Sequence, residues 1–67
     1  MKVISNKVKE FRYKAGLTQT QLAEKLGISK TSVANWEQGN NGVSLAMQAA
    51  LSELLQVDKE KLFKYGK

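Results

Sequence analysis

The side chains best suited to chemistry in this chain are hydrogen-bonding groups, and they cluster: Lys30, Thr31, Ser32, Asn35 and Gln38 stand within one short segment. Val33 and Trp36 are the large apolar residues among them, three positions apart. On a helix that spacing gives one narrow anchoring stripe, so the remaining surface is left to water or to a bound partner. Lysine can donate to guanine O6 and N7, asparagine can pair with adenine N6 and N7, and a threonine methyl can touch the thymine methyl. The set is therefore suited to reading base edges in a major groove.

Other chemistries are excluded by what is missing. There is no cysteine and no histidine among the 67 residues, which rules out thiolate or imidazole metal sites, disulfides and Cys/His or Ser/His catalysis. The six acidic residues form no evident inward-facing pair, and no glycine-rich phosphate loop is present. No enzyme, cofactor or metal is expected.

The charge has a direction along the chain. Eleven basic against six acidic residues give a net charge of +5, with a sequence pI near 9.7. Residues 1–36 carry that whole excess, since Lys2, Lys7, Lys9, Arg12, Lys14, Lys25 and Lys30 face only Glu10 and Glu24, while the remainder is neutral. A polyanionic partner meeting the first half follows. Val3 and Ile4 fall far short of a secretory apolar segment and no run approaches the roughly 18 residues of a membrane span, so a cytoplasmic protein without membrane contact is expected.

The elements that must position the cluster can be read from its punctuation. A chain of 67 residues supports one small domain, expected to span residues 1–67. Gly16, Gly27 and Gly39 each follow a helix-forming stretch, and polar residues suited to capping precede such stretches: Ser5 or Asn6, Thr18, Ser29, Ser44 and Asp58. Five helices are predicted, over about 6–15, 19–26, 30–38, 45–55 and 59–64. The first buries Val8, Phe11 and Ala15, the second Leu22, Ala23 and Leu26, the third Val33 and Trp36. The fourth has two apolar stripes, Leu45/Ala49/Leu55 with Leu51, and Met47/Ala50/Leu54; the second stripe packs on helix five or on another protomer. Val57 is placed to staple onto Leu62 or Phe63. Val3, Ile4, Phe63 and Tyr65 alternate with polar residues over too few positions to predict strands, although pairing across a dimer would account for apolar tails. An all-α, five-helix domain results.

The segment from Gln19 to Trp36 has two short helices joined by a turn of about three residues around Gly27, the helix-turn-helix layout. Ala23 is small where the helices cross, and Gly27 supplies the positive φ of the turn. From about Lys7 to Phe63 the chain resembles the phage repressor and Cro-type (Xre-like) family, through Arg12, Gly16-Leu-Thr-Gln-Thr-Gln-Leu-Ala-Glu-Lys-Leu-Gly27-Ile-Ser, Trp36-Glu-Gln-Gly39, Ser44-Leu45 and Leu55-Gln-Val-Asp58. The resemblance implies a compact five-helix repressor-type domain binding a pseudo-palindromic operator in double-stranded DNA, usually as a homodimer. It also implies that Gln19 bonds a DNA phosphate, that Lys30, Thr31 and Asn35 read bases with Ser32 and Gln38 nearby as base or phosphate contacts, Gln38 being assigned to phosphate, and that Arg12 pairs with Glu37.

Three departures stand out. The loop Asn40-Asn41-Gly42-Val43-Ser44 lacks the family's usual proline and basic residues, leaving its backbone N–H groups or the side chains of Asn40 and Asn41 to contact phosphate. Gln48 replaces a usual core leucine, implying a rotated fourth helix or a bonded partner, and Gln56 replaces a usual glycine. A compact regulator of phage or mobile-element type, with no fused sensing domain, is the expected function. The competing reading is an antitoxin-like or co-regulator module whose protein partner covers Met47 and Leu54; non-specific nucleic-acid binding is a third.

Overall fold

The computed structural model describes residues 2–66. Its elements run β1 (Lys2–Asn6), α1 (Val8–Lys14), α2 (Gln19–Leu26), α3 (Lys30–Glu37), α4 (Leu45–Leu55), α5 (Lys59–Leu62) and β2 (Phe63–Gly66). Five helices form, and their starts have local causes. At α2 the Thr18 hydroxyl accepts the Gln21 N–H at 3.0 Å while Gln21 Oε1 accepts the Thr18 N–H at 2.9 Å, a complete capping box. Ser29 and Ser44 accept the Ser32 and Met47 N–H groups at 3.3 and 3.2 Å. Asp58 makes no such bond, and at α1 the Asn6 Oδ1 serves from outside the helix by accepting the Val8 N–H at 3.2 Å.

Helix ends are set by left-handed residues. Gly27 closes α2 at φ 70°, ψ 31°, which lets the Ile28 N–H reach the Ala23 carbonyl at 3.0 Å and turns the chain into α3. Gly16 and Gly39 also have positive φ. Gln56 ends α4 in the same region at φ 55°, a conformation an L side chain adopts at a cost.

All-α needs correction, because the chain ends pair as a two-stranded antiparallel sheet. Lys2, Val3, Ser5 and Asn6 stand opposite Gly66, Tyr65, Lys64 and Phe63, with a register shift at Ile4. The tails thus pair within one chain, and α1 and α5 are shorter than the predicted 6–15 and 59–64 because Asn6, Phe63 and Lys64 belong to strands. The driving force is burial: Val3 and Phe63 lie in the core, with Tyr65 packed against it.

Val8, Leu22, Val33, Leu51 and Leu62 are completely buried, with Ala23, Trp36, Val43, Leu55 and Phe63 around them. Partly buried Phe11, Leu26 and Val57 pack on this cluster. In α1, Ala15 faces solvent and Arg12 is buried instead. In α4 the buried face is Gln48, Leu51 and Leu55, whereas Leu45 is 76% exposed and Ala49 is also exposed, so the Leu45/Ala49 expectation fails. The reason is Gln48. Its Nε2 donates to the Val43 carbonyl at 2.8 Å and its Oε1 accepts from the Tyr65 hydroxyl at 2.8 Å, which satisfies the buried amide and turns that side of α4 inward. The partner expected for Gln48 lies in β2 of the same chain.

Candidate nucleic-acid interface

Helix α3 is held from below by Val33 and Trp36 and from one side by charge. Arg12 Nε and Nη2 donate to Glu37 Oε2 and Oε1 at 2.7 and 3.0 Å, a two-pronged contact between α1 and α3. Both side chains are almost fully buried, and Arg12 Nη1 also donates to the Leu17 carbonyl at 2.8 Å. Burial alone would raise the Glu37 carboxyl, but hydrogen bonds from Arg12 and Gln19 and the nearby charges of Arg12 and Lys9 outweigh it and hold the carboxyl below its ordinary value. The bond to Glu37 correspondingly outweighs burial at Arg12 and raises the guanidinium. The pair stays ionised and fixes α3 relative to α1.

The same, C-terminal end of α3 is also held by amides. Asn6 Nδ2 donates to the Trp36 carbonyl at 2.9 Å and to Asn41 Oδ1 at 2.6 Å. Asn41 Nδ2 donates to the Ile4 and Gly39 carbonyls, each at 3.1 Å, so the register shift in β1 presents a carbonyl that the loop uses. These bonds tie the terminal sheet to the end of the presented helix.

With the C-terminal end of α3 held by both sets of bonds and its inner face buried, its outer surface is defined. Thr31, Asn35 and Gln38, spaced i, i+4 and i+7, are exposed opposite the Val33/Trp36 anchor. Ser32 stands apart: it is half-buried, its N–H is bonded by Ser29, and its hydroxyl lies 3.2 Å from the Ser29 hydroxyl. Lys30 is exposed but lies on a cleft shared with Lys9, Tyr13, Gln19 and Thr20, with a volume of about 640 Å³.

Of the residues expected to hold phosphate, Gln19 and Asn41 have amide nitrogens donating within the chain, whereas Asn40 is engaged through its oxygen alone. Gln19 Nε2 donates to Glu37 Oε1 at 3.0 Å, Asn41 is bonded into the β1 contact, and Asn40 Oδ1 accepts the Gly42 N–H at 3.1 Å. Gln38 alone of that group is exposed without a bond to its side chain among the described residues. Met47 and Leu54 are half-buried and pack on the core. Lys9 and Tyr13, i and i+4 on α1, line the same cleft as Lys30; their spacing was visible in the sequence, but nothing local placed them beside α2.

A first helix crossing above a presented second helix, joined by a Gly27 turn, is a helix-turn-helix unit. The helix-turn-helix family profile matches residues 8–62. The chain is 34% identical over 62 residues to an uncharacterised helix-turn-helix-type transcriptional regulator of Methanocaldococcus jannaschii, covering 92% of this chain and 94% of that one. A similar regulator of Archaeoglobus fulgidus is 32% identical over 57 residues, covering 85% and 81%. A longer Pyrococcus furiosus protein, named as a candidate regulator of the same type, is 35% identical over 54 residues, of which the match spans only 17%. Among solved structures, a candidate DNA-binding protein from Bacteroides fragilis superposes with a TM-score of 0.81 at 30% identity, over 90% of this chain and 97% of that one. The chain belongs to the Xre/Cro-like helix-turn-helix family, a family of non-enzymatic proteins.

Proposed function

We propose that the protein is a sequence-specific DNA-binding transcriptional regulator that lays α3 in the major groove of a pseudo-palindromic operator and acts as a homodimer. The observation that carries this reading is the exposed stripe of Thr31 and Asn35, continued by Gln38 at the C-cap, on a helix whose opposite side is buried and whose C-terminal end is bonded to other elements. A helix so held presents its hydrogen-bonding groups in one orientation, which base discrimination requires. Thr31 and Asn35 are the base readers, Gln38 reaches base or phosphate, and Gln19 acts chiefly by orienting Glu37. The names of the relatives and of the structural neighbour support DNA as the partner. The concentration of the net charge of +5 in residues 1–36 supports it independently.

The test is binding of Asn35→Ala to a selected duplex and to single-base variants of it. Discrimination at one base pair should fall by about 1–3 kcal/mol while affinity for unrelated duplex is unchanged. Equal loss on every sequence would remove Asn35 from base reading. The protein-partner alternative is less well supported, since Met47 and Leu54, the residues it requires, are engaged with the core.

A further inference from the structure

Of the four asparagines in this chain, Asn41 is the one followed by glycine; Asn6, Asn35 and Asn40 precede Lys7, Trp36 and Asn41. Glycine carries no Cβ, so its main-chain nitrogen can approach a neighbouring side chain closely. The Asn41 amide is also the fastening between the terminal sheet and the end of α3. Its Nδ2 donates to the Ile4 and Gly39 carbonyls at 3.1 Å each, and its Oδ1 accepts from Asn6 Nδ2 at 2.6 Å. A carbonyl only accepts, so this position requires an amide nitrogen on one side, and a carboxylate there would set a charged acceptor against two other acceptors. The Gly42 N–H is meanwhile donated to Asn40 Oδ1 at 3.1 Å.

We propose that Asn41-Gly42 is a self-modification site, guarded by the native fold, at which conversion of the amide to a carboxylate unfastens β1 from the C-terminal end of α3. The Gly42 nitrogen loses its proton to solvent base and attacks Asn41 Cγ; the Cγ–Nδ2 bond breaks, the nitrogen leaves as ammonia, and a cyclic succinimide remains. Water then adds to either ring carbonyl and opens it to aspartate or isoaspartate. Water is consumed and ammonia released, with no oxidant or reductant. In the native state both reacting groups are held, since ring closure requires the amide to leave the Ile4 and Gly39 carbonyls and the Gly42 N–H to leave Asn40. The reaction therefore runs from a locally opened state, and its rate follows the population of that state. Such opening is accessible because β1 and β2 form a two-stranded sheet, which is marginal by itself. The conversion is irreversible, so it accumulates with the time the loop spends open. The modification needs no DNA; its effect on duplex binding, through the pose of α3, rests on the proposed DNA-binding reading.

The experiment incubates the full chain at mildly alkaline pH, with and without denaturing guanidinium chloride, and locates isoaspartate by proteolysis and mass spectrometry. Asn41 should convert while Asn6, Asn35 and Asn40 stay intact, and the folded chain should convert more slowly than the unfolded one by about tenfold or more, the ratio set by local opening. Gly42→Ala should slow conversion in denaturant; its Cβ would meet only Asn40 Oδ1, at 3.3 Å, so the variant should still fold. Asn41→Asp, the direct product, should quicken hydrogen exchange across the β1–β2 ladder by about fivefold or more. Asn40→Asp adds the same charge but keeps the acceptor for Gly42, and should exchange at the parental rate. Absence of isoaspartate at Asn41 in denaturant, equal conversion with and without denaturant, or parental exchange in Asn41→Asp would each overturn the proposal. Duplex affinity should also fall in Asn41→Asp; unchanged affinity would overturn the effect on α3. A parent chain that binds no duplex would overturn the functional reading, while the isoaspartate and exchange results decide the modification site on their own.

Discussion

Glu37 receives Arg12 from α1 and Gln19 from α2 while belonging to α3, so one carboxylate joins three helices. Its depressed folded-state pKa fixes the sign of the pH response. The contribution is fully present above the ordinary value of 4.5 and is lost as pH falls through the lower folded-state value. Urea midpoints should therefore decline in that acid window, and Glu37→Gln should show less of that decline. At neutral pH the same variant leaves Arg12 buried without its counter-charge, and a loss of about 3–5 kcal/mol is expected. Gln48 is the second decisive residue. Gln48→Leu matches the size of the side chain but strands the Tyr65 hydroxyl and the Val43 carbonyl, and should cost about 1–3 kcal/mol. Adding Tyr65→Phe should cost less than it does alone, giving a coupling of at least about 0.5 kcal/mol in a double-mutant cycle. Strict additivity would mean that the bond contributes nothing.

At the scale of elements, helix limits are governed by local chemistry, and here the sequence was most legible. Thr18, Ser29 and Ser44 cap helices, and Gly16, Gly27 and Gly39 take positive φ. The left-handed Gln56 is where that chemistry is imperfect. Gln56→Gly should raise stability by about 0.5–1 kcal/mol, since relief of left-handed strain exceeds the added entropy of glycine, and thermal denaturation should register a shift of a few degrees. An unchanged or lower midpoint would show that the strain is absent. Two features were illegible for physical reasons. Helix α4 has apolar residues on nearly every side, so periodicity could not choose between Leu45 and Gln48 as the inward position; hydrogen bonds to Val43 and Tyr65 made the choice. The β1–β2 pairing joins opposite ends of the chain through strands of five and four residues, which local alternation is too short to announce. In the candidate site, the Val33/Trp36 anchor and the polar face of Thr31 and Asn35 were visible as a pattern. The Arg12–Glu37 pair came from family resemblance, and the internal use of Gln19 and Asn41 depended on tertiary contacts that no spacing encodes.

For the whole molecule, the basic first half carries α1, α2 and nearly all of α3, and these elements supply both the exposed Thr31/Asn35 face and the cleft. Sheet, amide cluster and ion pair meet around α3, so the termini serve the same end as the helix-turn-helix unit: they hold one helix in one pose. A homodimer making about 6–10 phosphate contacts would lose on the order of 10³–10⁵ in affinity between 50 and 200 mM salt, a range that equilibrium binding can read. A much shallower dependence would contradict a backbone-anchored dimer. The central claim is that this pose reads sequence in two symmetric half-sites. Selection of bound duplexes from a random DNA pool at physiological salt tests specificity and symmetry together. The account predicts an enriched inverted repeat with half-site centres about 10 bp apart, or a multiple of that turn. A bound pool with no enriched motif would contradict it.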